Sequence, residues 1–542
     1  MAKSGVLGYP RIGADREWKN ALEAFWAGQL EEEGLDQKLQ DIRLQHLLKM
    51  KAKGIDFIPV GDFSYYDHVL DTATMFGIVP KRFSSYHGGT VPKSVYYGIA
   101  RGTKDAPACE MTKWFNTNYH FIVPELDGVT PELTENKPLL AYREAKQKIG
   151  IEGRPVLLGP LTFLKLSKGS SELDIDSWLD RLIPLYVQVL QELEREGAVW
   201  VQIDEPILVT QCKDSDVRRM QTICQAFTAA APGLKLMLQT YFESVEAYCH
   251  IVELPVHGIG LDFVHGLEGN MSAIRTFGFP SDKVLGAGVI DGRGIWKASL
   301  CDNKKLLDEL ATYVPSGQLI VQTSCSLLHV PVSVQGETML VPELRDAIAF
   351  ADEKLDELVV LTRAVSTGGG ELATELQEYD SATQAIIHSE VRNRHDIQRV
   401  AATLAVQEPQ RGKPFSKRSE IQREKWKLPF FPTTTIGSFP QSVEVRRARQ
   451  WWRKGKWNGE QYDAFIRNQI ERWVRLQKEI GLDVLVHGEF ERTDMVEFFG
   501  EKLGGFAFTQ TGWVQSYGSR CVKPPNIYGN VVFQGSITVS GT

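Results

Sequence analysis

Apolar residues along the first part of the chain come in short Val-, Ile- and Leu-rich runs, separated by longer stretches of helical periodicity. The runs Gly5–Pro10, Ile55–Gly61, Pro155–Leu166, Val199–Ile207, Leu234–Tyr241, Ile259–His265, Val284–Ile290 and Leu319–Cys325 show little polar alternation. That is the pattern of strands buried on both faces. The clearest helix is Asp176–Gly197, where Trp178, Leu179, Leu182, Ile183, Tyr186, Leu190 and Leu193 keep one apolar stripe. Acidic residues open it, Gly197 closes it, and Pro184 predicts a local kink. Eight such strands alternating with helices predict an α/β fold, a (β/α)8 barrel over residues 1–345. A doubly wound open sheet is the alternative, but no phosphate loop of the GxGxxG type is found.

Residues 346–427 read as a charged, helical linker, with a break at Gly368–Gly370 and a basic stretch at Lys413–Arg423. Lys417 and Arg418 could meet an anion, although a solvated helix face explains them as well. The pattern then restarts. Gly54–Val69 aligns without a gap on Gly481–Val496, matching Gly54 with Gly481, Asp56 with Asp483, Gly61 with Gly488, Phe63 with Phe490, Asp67 with Asp494 and Val69 with Val496. Asp62 faces Glu489, and Gly8-Tyr9-Pro10 resembles Ser438-Phe439-Pro440. Residues 428–542 are therefore expected to begin a second, duplicated (β/α)8 barrel. A barrel needs about 250 residues or more, so this second copy is expected to be incomplete, truncated at its C-terminal side, and poorly stable alone. Val531–Thr542 holds no helix to cover the open face.

Composition narrows the function classes. Apolar residues make up 43% and charged residues 24%, which is globular. The net charge of -7 gives no bulk attraction for nucleic acid. Seven cysteines lie far apart without a CxxC pair, which suggests a reducing compartment. The start carries no apolar signal core, and the longest apolar runs are too short to span a bilayer. These features lead to the expectation of a cytoplasmic protein large enough to be an enzyme, with no nucleic-acid or membrane partner, and a monomer is expected.

Chemistry in a barrel sits at the carboxyl ends of the strands. Ile436, Gly437 and Ser438 end a run before a helix, so backbone amides there could hold an anion, or simply make a tight turn. His487 and Glu489 share a face in an extended run. Glu489 could hold an ammonium group, pair with His487 on a metal, or be a structural acid like Asp62. Asp204 and Glu205 suggest acid/base work of glycosidase type, although strand neighbours point opposite ways. Cys325 and His329 are two conceivable zinc ligands, too few for a site, and a buried Cys is commonly just apolar. Arg16, Lys19 and Lys113 could receive a polyanionic tail, or be solvated surface charges. Arg520 adjoins Cys521 and could lower its thiol pKa, but no His is nearby to make it a nucleophile. Trp451–Trp457 mixes Trp, Arg and Lys, as an amphipathic helix does.

On these residues the chain resembles the cobalamin-independent methionine synthases. The stretches that carry the resemblance are Gly8–Gly13 (GYPRIG) with Arg16–Lys19, Glu110–His120 (EMTKWFNTNYH), Trp200–Pro206 (WVQIDEP), Pro432–Pro440 (PTTTIGSFP), Leu482–Glu489 (LDVLVHGE) and Gly512–Pro525 (GWVQSYGSRCVKPP). The resemblance implies two face-to-face (β/α)8 barrels and methyl transfer from 5-methyltetrahydropteroyltri-L-glutamate to L-homocysteine, giving L-methionine. It implies that Ile436, Gly437, Ser438 and Glu489 hold homocysteine. It also implies that Arg16, Lys19, Lys113, Asn118, Arg520 and Cys521 meet the methylfolate from both halves of the chain. Asp15 stands where the family commonly has a cation. The family uses zinc, whose ligands, like the catalytic acid, lie in later strands of the second barrel. No catalytic residue and no metal ligand is therefore expected within these residues, and the chain alone is expected to be inactive. The alternatives are a non-catalytic folate-binding or scaffold barrel, and a glycosidase using Asp204 and Glu205.

Overall fold

The computed structural model describes residues 2–169, 174–367, 372–407 and 410–533. The chain forms two compact units, Met1–Ala385 with Gln510–Lys523, and Ile386–Thr509 with Pro524–Thr542.

In the first unit the strands are β1 (Lys3–Gly5), β2 (Pro59–Val60), β3 (Met111–Lys113), β4 (His120–Ile122), β5 (Arg154–Leu158), β6 (Trp200–Asp204), β7 (Lys235–Gln239), β8 (Gly258–Asp262), β9 (Val284–Ile290) and β10 (Leu319–Thr323). Eight of them pair in parallel in the order β1-β10-β9-β8-β7-β6-β5-β2. The ends of that sheet meet. Gly5 bridges Phe57, Val6 N–H donates to Phe57 O at 3.2 Å, and Phe57 N–H donates to Ser4 O at 2.9 Å. The sheet is thus closed into the barrel that the alternation predicts, and the open-sheet alternative falls. β3 and β4 form a separate antiparallel hairpin.

The apolar runs locate the strands, but tertiary contacts decide where each one stops. Pro155–Leu166 reads as one strand, yet β5 ends at Leu158 and Pro160–Lys165 is a helix. Pro160 suits a first helical turn, and the buried Glu205 carboxylate accepts the N–H groups of Leu161 and Thr162 there, at 3.0 and 2.7 Å. Likewise β6 ends at Asp204, and Pro206–Val209 forms a 3-10 turn. The predicted helix spans Ile175–Arg195 and continues through Pro184. Inside the barrel Gln239 and Gln322 exchange two side-chain hydrogen bonds, at 3.2 and 2.9 Å. That satisfies a buried polar layer at little net cost. Gly260 makes room for it, since a Cβ there would lie 1.6 Å from Gln239 Oε1.

The stretch read as a linker is not uniform. Helix Ala351–Thr367 belongs to the barrel wall, with Leu355, Leu358 and Leu361 in the main core. Helices His395–Ala405 and Phe415–Trp426 bury nothing. The break at Gly368–Gly370 lies outside the described residues. Within the wall helix, Glu357 is fully buried, accepts the Ala298 N–H at 3.0 Å, and leaves Oε2 without a hydrogen-bond partner among the described residues. Burial pushes its pKa from 4.5 up to about 7. The folded state then keeps a proton that the unfolded chain releases. The stabilisation is complete below pH 4.5 and is lost as pH rises through about 7. Glu357→Gln keeps the acceptor and removes the titration. Wild type is expected to lose up to ~3 kcal/mol relative to this variant between pH 4.5 and 8. Urea unfolding at both pH values measures the difference, and a constant difference contradicts the assignment.

The second unit repeats the opening of the first in local detail. Ser4 N–H and Oγ donate to Asp56 Oδ2 at 2.7 and 2.9 Å, and Asp56 N–H donates back to Ser4 Oγ at 3.0 Å. Thr433 and Asp483 make the same three bonds at 2.8, 2.8 and 3.1 Å. Helices Glu32–Lys53 and Gly459–Ile480 both end on a left-handed glycine, Gly54 and Gly481. Gly61 and Gly488 have φ of 88° and 90°, and Asp67 and Asp494 each cap the next helix. Beyond this opening no closed sheet forms among the described residues. Ser438 and Gly488 make a single parallel bridge, and β11 (Leu503–Ala507) pairs antiparallel with β14 (Asn526–Phe533). Of the tail 531–542, residues 531–533 end β14 and the remainder lies outside the described residues.

Candidate functional site

The segment Gln510–Lys523 belongs to the first unit, although it is far away in sequence. It contains an antiparallel hairpin of β12 (Val514–Tyr517) and β13 (Arg520–Val522). Arg520 and Cys521 lie on β13, which among the described residues pairs with β12 alone. The anchor of the segment is Glu337, 1% exposed. Its Oε2 accepts the Gln510 N–H at 2.6 Å, and its Oε1 accepts the Thr511 N–H and hydroxyl, both at 2.7 Å. Thr338 N–H and hydroxyl add bonds to Gln510 Oε1 at 3.0 and 2.9 Å. Further along, Gln515 Nε2 donates to Tyr66 O at 3.1 Å and Ser516 Oγ donates to Asn118 O at 3.3 Å.

This docking brings together residues that sequence reasoning treats one by one. Arg16, itself in a left-handed conformation (φ 61°), places its guanidinium 4.3 Å from the Trp513 ring centre. Lys19 pairs with Glu23, which also accepts Ser519 Oγ at 3.1 Å. Arg520 donates to the Tyr517 hydroxyl at 3.2 Å and is exposed. Lys113 is exposed on β3 opposite His120, whose ring lies 5.9 Å from that of Tyr517. Arg16, Lys19, Asn118, Arg520 and Cys521 thus share one neighbourhood. It carries several cations, one of them ion-paired, and suits an elongated anion. Burial pushes the Cys521 thiol up to about 11, against the pull of Lys19 and Arg16. The lowering that the adjacent arginine could bring does not occur: Arg520 turns to the Tyr517 hydroxyl, and desolvation outweighs the pull of Lys19 and Arg16. Glu337, Trp513 and Glu23 carry no local sequence signal and escape a sequence reading.

In the second unit Ile436, Gly437 and Ser438 are exposed, Ile436 to 78%. Glu489 follows the left-handed Gly488, is itself at φ 54°, and forms an ion pair with Arg492. Its Oε1 is close enough to Gly437 that a Cβ there would lie 2.9 Å from it. Open backbone beside a half-buried carboxylate can take a zwitterion, with the carboxylate on the amides and the ammonium on Glu489. His487 Nδ1 accepts the Glu489 N–H at 3.2 Å, which engages that nitrogen locally.

The remaining candidates have structural employment. Glu205 caps helix Pro160–Lys165 while Asp204 faces the barrel interior, held by Gln202 at 2.8 Å and Tyr241 at 3.3 Å. The two acids point apart and make no glycosidase pair. Cys325 is buried against Gly292, and burial raises its pKa well above the usual thiol value. Burial also holds His329 down to about 3, between the rings of Tyr119 and Phe242. Among the described residues no three His, Cys, Asp or Glu side chains come together as a metal cluster. No helix among them is long and apolar enough to cross a membrane.

Residues 3–315 match the family model described as cobalamin-independent synthase, N-terminal domain, and residues 431–542 match cobalamin-independent synthase, catalytic domain. The 5-methyltetrahydropteroyltriglutamate--homocysteine methyltransferases of Bacillus cereus (strain G9842) and Listeria monocytogenes serotype 4b (strain F2365) are each 52% identical over 538 residues. The alignment covers 99% of this chain and 70% of each relative. A B12-independent methionine synthase structure from Shewanella sp. W3-18-1 aligns with a TM-score of 0.47 at 15% identity, over 69% of this chain and 98% of that one.

Proposed function

This chain belongs to the cobalamin-independent methionine synthases, the homocysteine methyltransferases that do without B12, and on that premise we propose that it binds both substrates of the family reaction. These are 5-methyltetrahydropteroyltri-L-glutamate, the methyl donor, and L-homocysteine, which becomes L-methionine. The observation that carries the reading is the neighbourhood of Arg16, Lys19, Asn118, Arg520 and Cys521 around the docked hairpin. The tri-glutamate tail is a chain of carboxylates, and Arg16, Lys19, Lys113 and Arg520 supply cations for it. Homocysteine fits Gly437, Ser438 and Ile436 through its carboxylate and Glu489 through its ammonium, which would share that acid with Arg492. The folate-side residues all fall in the first unit and the amino-acid-side residues all fall in the second.

The family reaction needs an activated thiol, because a free thiol with pKa about 8.5 is a weak nucleophile at neutral pH. Zinc serves that purpose in the family. The described residues do not fit it, since no three candidate ligands converge among them. We place the chain in the cytoplasm, a placement supported by seven unpaired cysteines, and propose a monomer. The separation of the folate-side residues into the first unit also favours a second reading, a folate-binding barrel without turnover.

Titration of the full chain with each substrate tests the assignments. Arg520→Ala is expected to weaken 5-methyltetrahydropteroyltri-L-glutamate about tenfold and leave homocysteine unchanged, while Glu489→Gln does the reverse. Equal effects of both variants on both ligands contradict the division. Methionine formation by this chain alone rejects the reading without turnover.

A further inference from the structure

The first barrel contains a cavity of about 550 Å³ at the carboxyl ends of its strands, and none of the residues assigned above to a substrate lines it. Its volume lies within the roughly 300–1,000 Å³ of small-molecule sites. Arg11, Asp62, His68, Asp204, Tyr241 and His329 supply part of its polar wall, and most of the other charged groups along it pair with one another, Arg43 with Glu144, Lys93 with Glu32 and Asp36, and Lys137 with Asp71. Asp62 follows β2 and Asp204 ends β6, the positions from which barrels present functional groups.

We infer that this cavity is a second small-molecule site, and that it takes an α-amino acid with an uncharged side chain, bound as its zwitterion. The charges select that class. The Asp62 carboxylate accepts one hydrogen bond from another described residue, the Tyr9 N–H at 2.9 Å. The Asp204 carboxylate accepts the neutral donors Gln202 and Tyr241. Neither acid has an ion-pair partner among the described residues, so an ammonium group has two carboxylates to meet. Arg11, 4% exposed, donates Nε to Asp62 O at 3.1 Å and Nη1 to the Tyr119 hydroxyl at 2.8 Å. Its Nη2 makes no hydrogen bond among the described residues and can receive a carboxylate. A plain amine leaves that donor unused, and a dianion meets two carboxylates. His68 Nδ1 is a buried nitrogen without a hydrogen-bond partner among the described residues, and its ring packs 4.4 Å from that of Trp114, so one more polar contact is open beside an apolar wall. Met75, Leu158 and Leu328 complete that wall and suit an aliphatic or thioether side chain.

The duplication supplies an independent argument, and this part rests on the reading of Glu489 given above. Asp62 stands in the first copy where Glu489 stands in the second, each directly after a glycine with φ near 90°. The proposed ammonium position therefore occurs twice in the chain, and in the first copy it borders the cavity.

Calorimetric titration of the full chain with L-methionine tests the site, with n-butylamine and L-glutamate as probes of class. Wild type is expected to bind L-methionine, and Asp62→Asn and Asp204→Asn each to weaken that binding about tenfold or more. Both variants keep an oxygen for the Tyr9 N–H or the Tyr241 hydroxyl, and a thermal melt verifies that each is folded. Glu489→Gln is expected to leave this binding event in place. No binding of L-methionine by wild type at millimolar concentration overturns the inference. So does wild-type affinity in both Asn variants, or binding lost in Glu489→Gln alone, which leaves the Glu489 assignment standing. Loss in the two Asn variants, with homocysteine binding untouched by Glu489→Gln, supports the first-barrel site and removes the other assignment. Equal affinity for n-butylamine or L-glutamate overturns the zwitterion class.

Discussion

Glu205→Ala is expected to destabilise the first unit by about 3–5 kcal/mol, with the loss concentrated where helix Pro160–Lys165 leaves β5. The carboxylate is fully buried and accepts three donors: the Leu161 N–H at 3.0 Å, and the Thr162 N–H and hydroxyl at 2.7 and 2.5 Å. Alanine leaves all three in a space that water cannot enter freely. A Cβ at Gly159 would lie 2.1 Å from Glu205 Oε1, which shows how tightly the group is enclosed. Urea unfolding monitored by circular dichroism measures the change, and amide exchange at Leu161 and Thr162 localises it. A loss below about 1 kcal/mol, the worth of an ordinary exposed bond, would mean that another group or water replaces the carboxylate. The same experiment bears on chemistry. A residue that holds a helix start from outside the barrel mouth cannot also be the acid or base of a glycosidase, so Asp204→Asn and Glu205→Gln are expected to reveal no hydrolytic function.

The second large effect concerns Glu337. Its removal in Glu337→Ala frees the Gln510 N–H and both donors of Thr511, and so detaches the start of the segment that carries Trp513, Ser516, Ser519, Arg520 and Cys521. Charge-assisted bonds of this kind are worth about 1.5–3 kcal/mol each, though not additively. The expected result is a 10- to 100-fold loss of affinity for 5-methyltetrahydropteroyltri-L-glutamate, because Arg520 no longer shares a neighbourhood with Arg16 and Lys19. The barrel is expected to melt within a few degrees of wild type, since its sheet and main core do not include the segment. Glu337→Gln keeps one acceptor oxygen and is expected to fall in between. Fluorescence titration with the folate reads the effect. Unchanged affinity in Glu337→Ala would show that the hairpin does not hold the folate-side residues together.

The two variants mark different depths of sequence legibility. Helix Pro160–Lys165 hides inside an apolar run that resembles a strand throughout, because Leu161, Phe163 and Leu164 are as buried as strand residues are. The Gly159-Pro160 step was its only local signal. The contact that fixes it comes from Glu205, more than 40 residues later. Glu337 and Thr511 are 174 residues apart, and nothing near either one announces the other. Cys521 illustrates the same limit for chemistry. The adjacent Arg520 suggested an acidified thiol, but the arginine turns outward to Tyr517 while the sulfur is half-buried, and desolvation prevails.

What the order of residues determined alone is the class of fold and its repetition. Period and burial are local properties of a strand–helix alternation, so eight apolar runs suffice to predict the barrel. The pairing of Gly54–Val69 with Gly481–Val496 likewise predicted a repeat, and the structure gives that repeat its form in matching caps, left-handed glycines and the Ser4–Asp56 and Thr433–Asp483 bonds. What the tertiary structure decided is which side chains share a site. Closure of the sheet turns Asp62, Asp204 and Arg11 toward one cavity, and three hydrogen bonds to one buried carboxylate return residues 510–523 to the first unit. Those contacts join groups distant along the chain, and their strength comes from exclusion of water, which arises only once the barrel has formed.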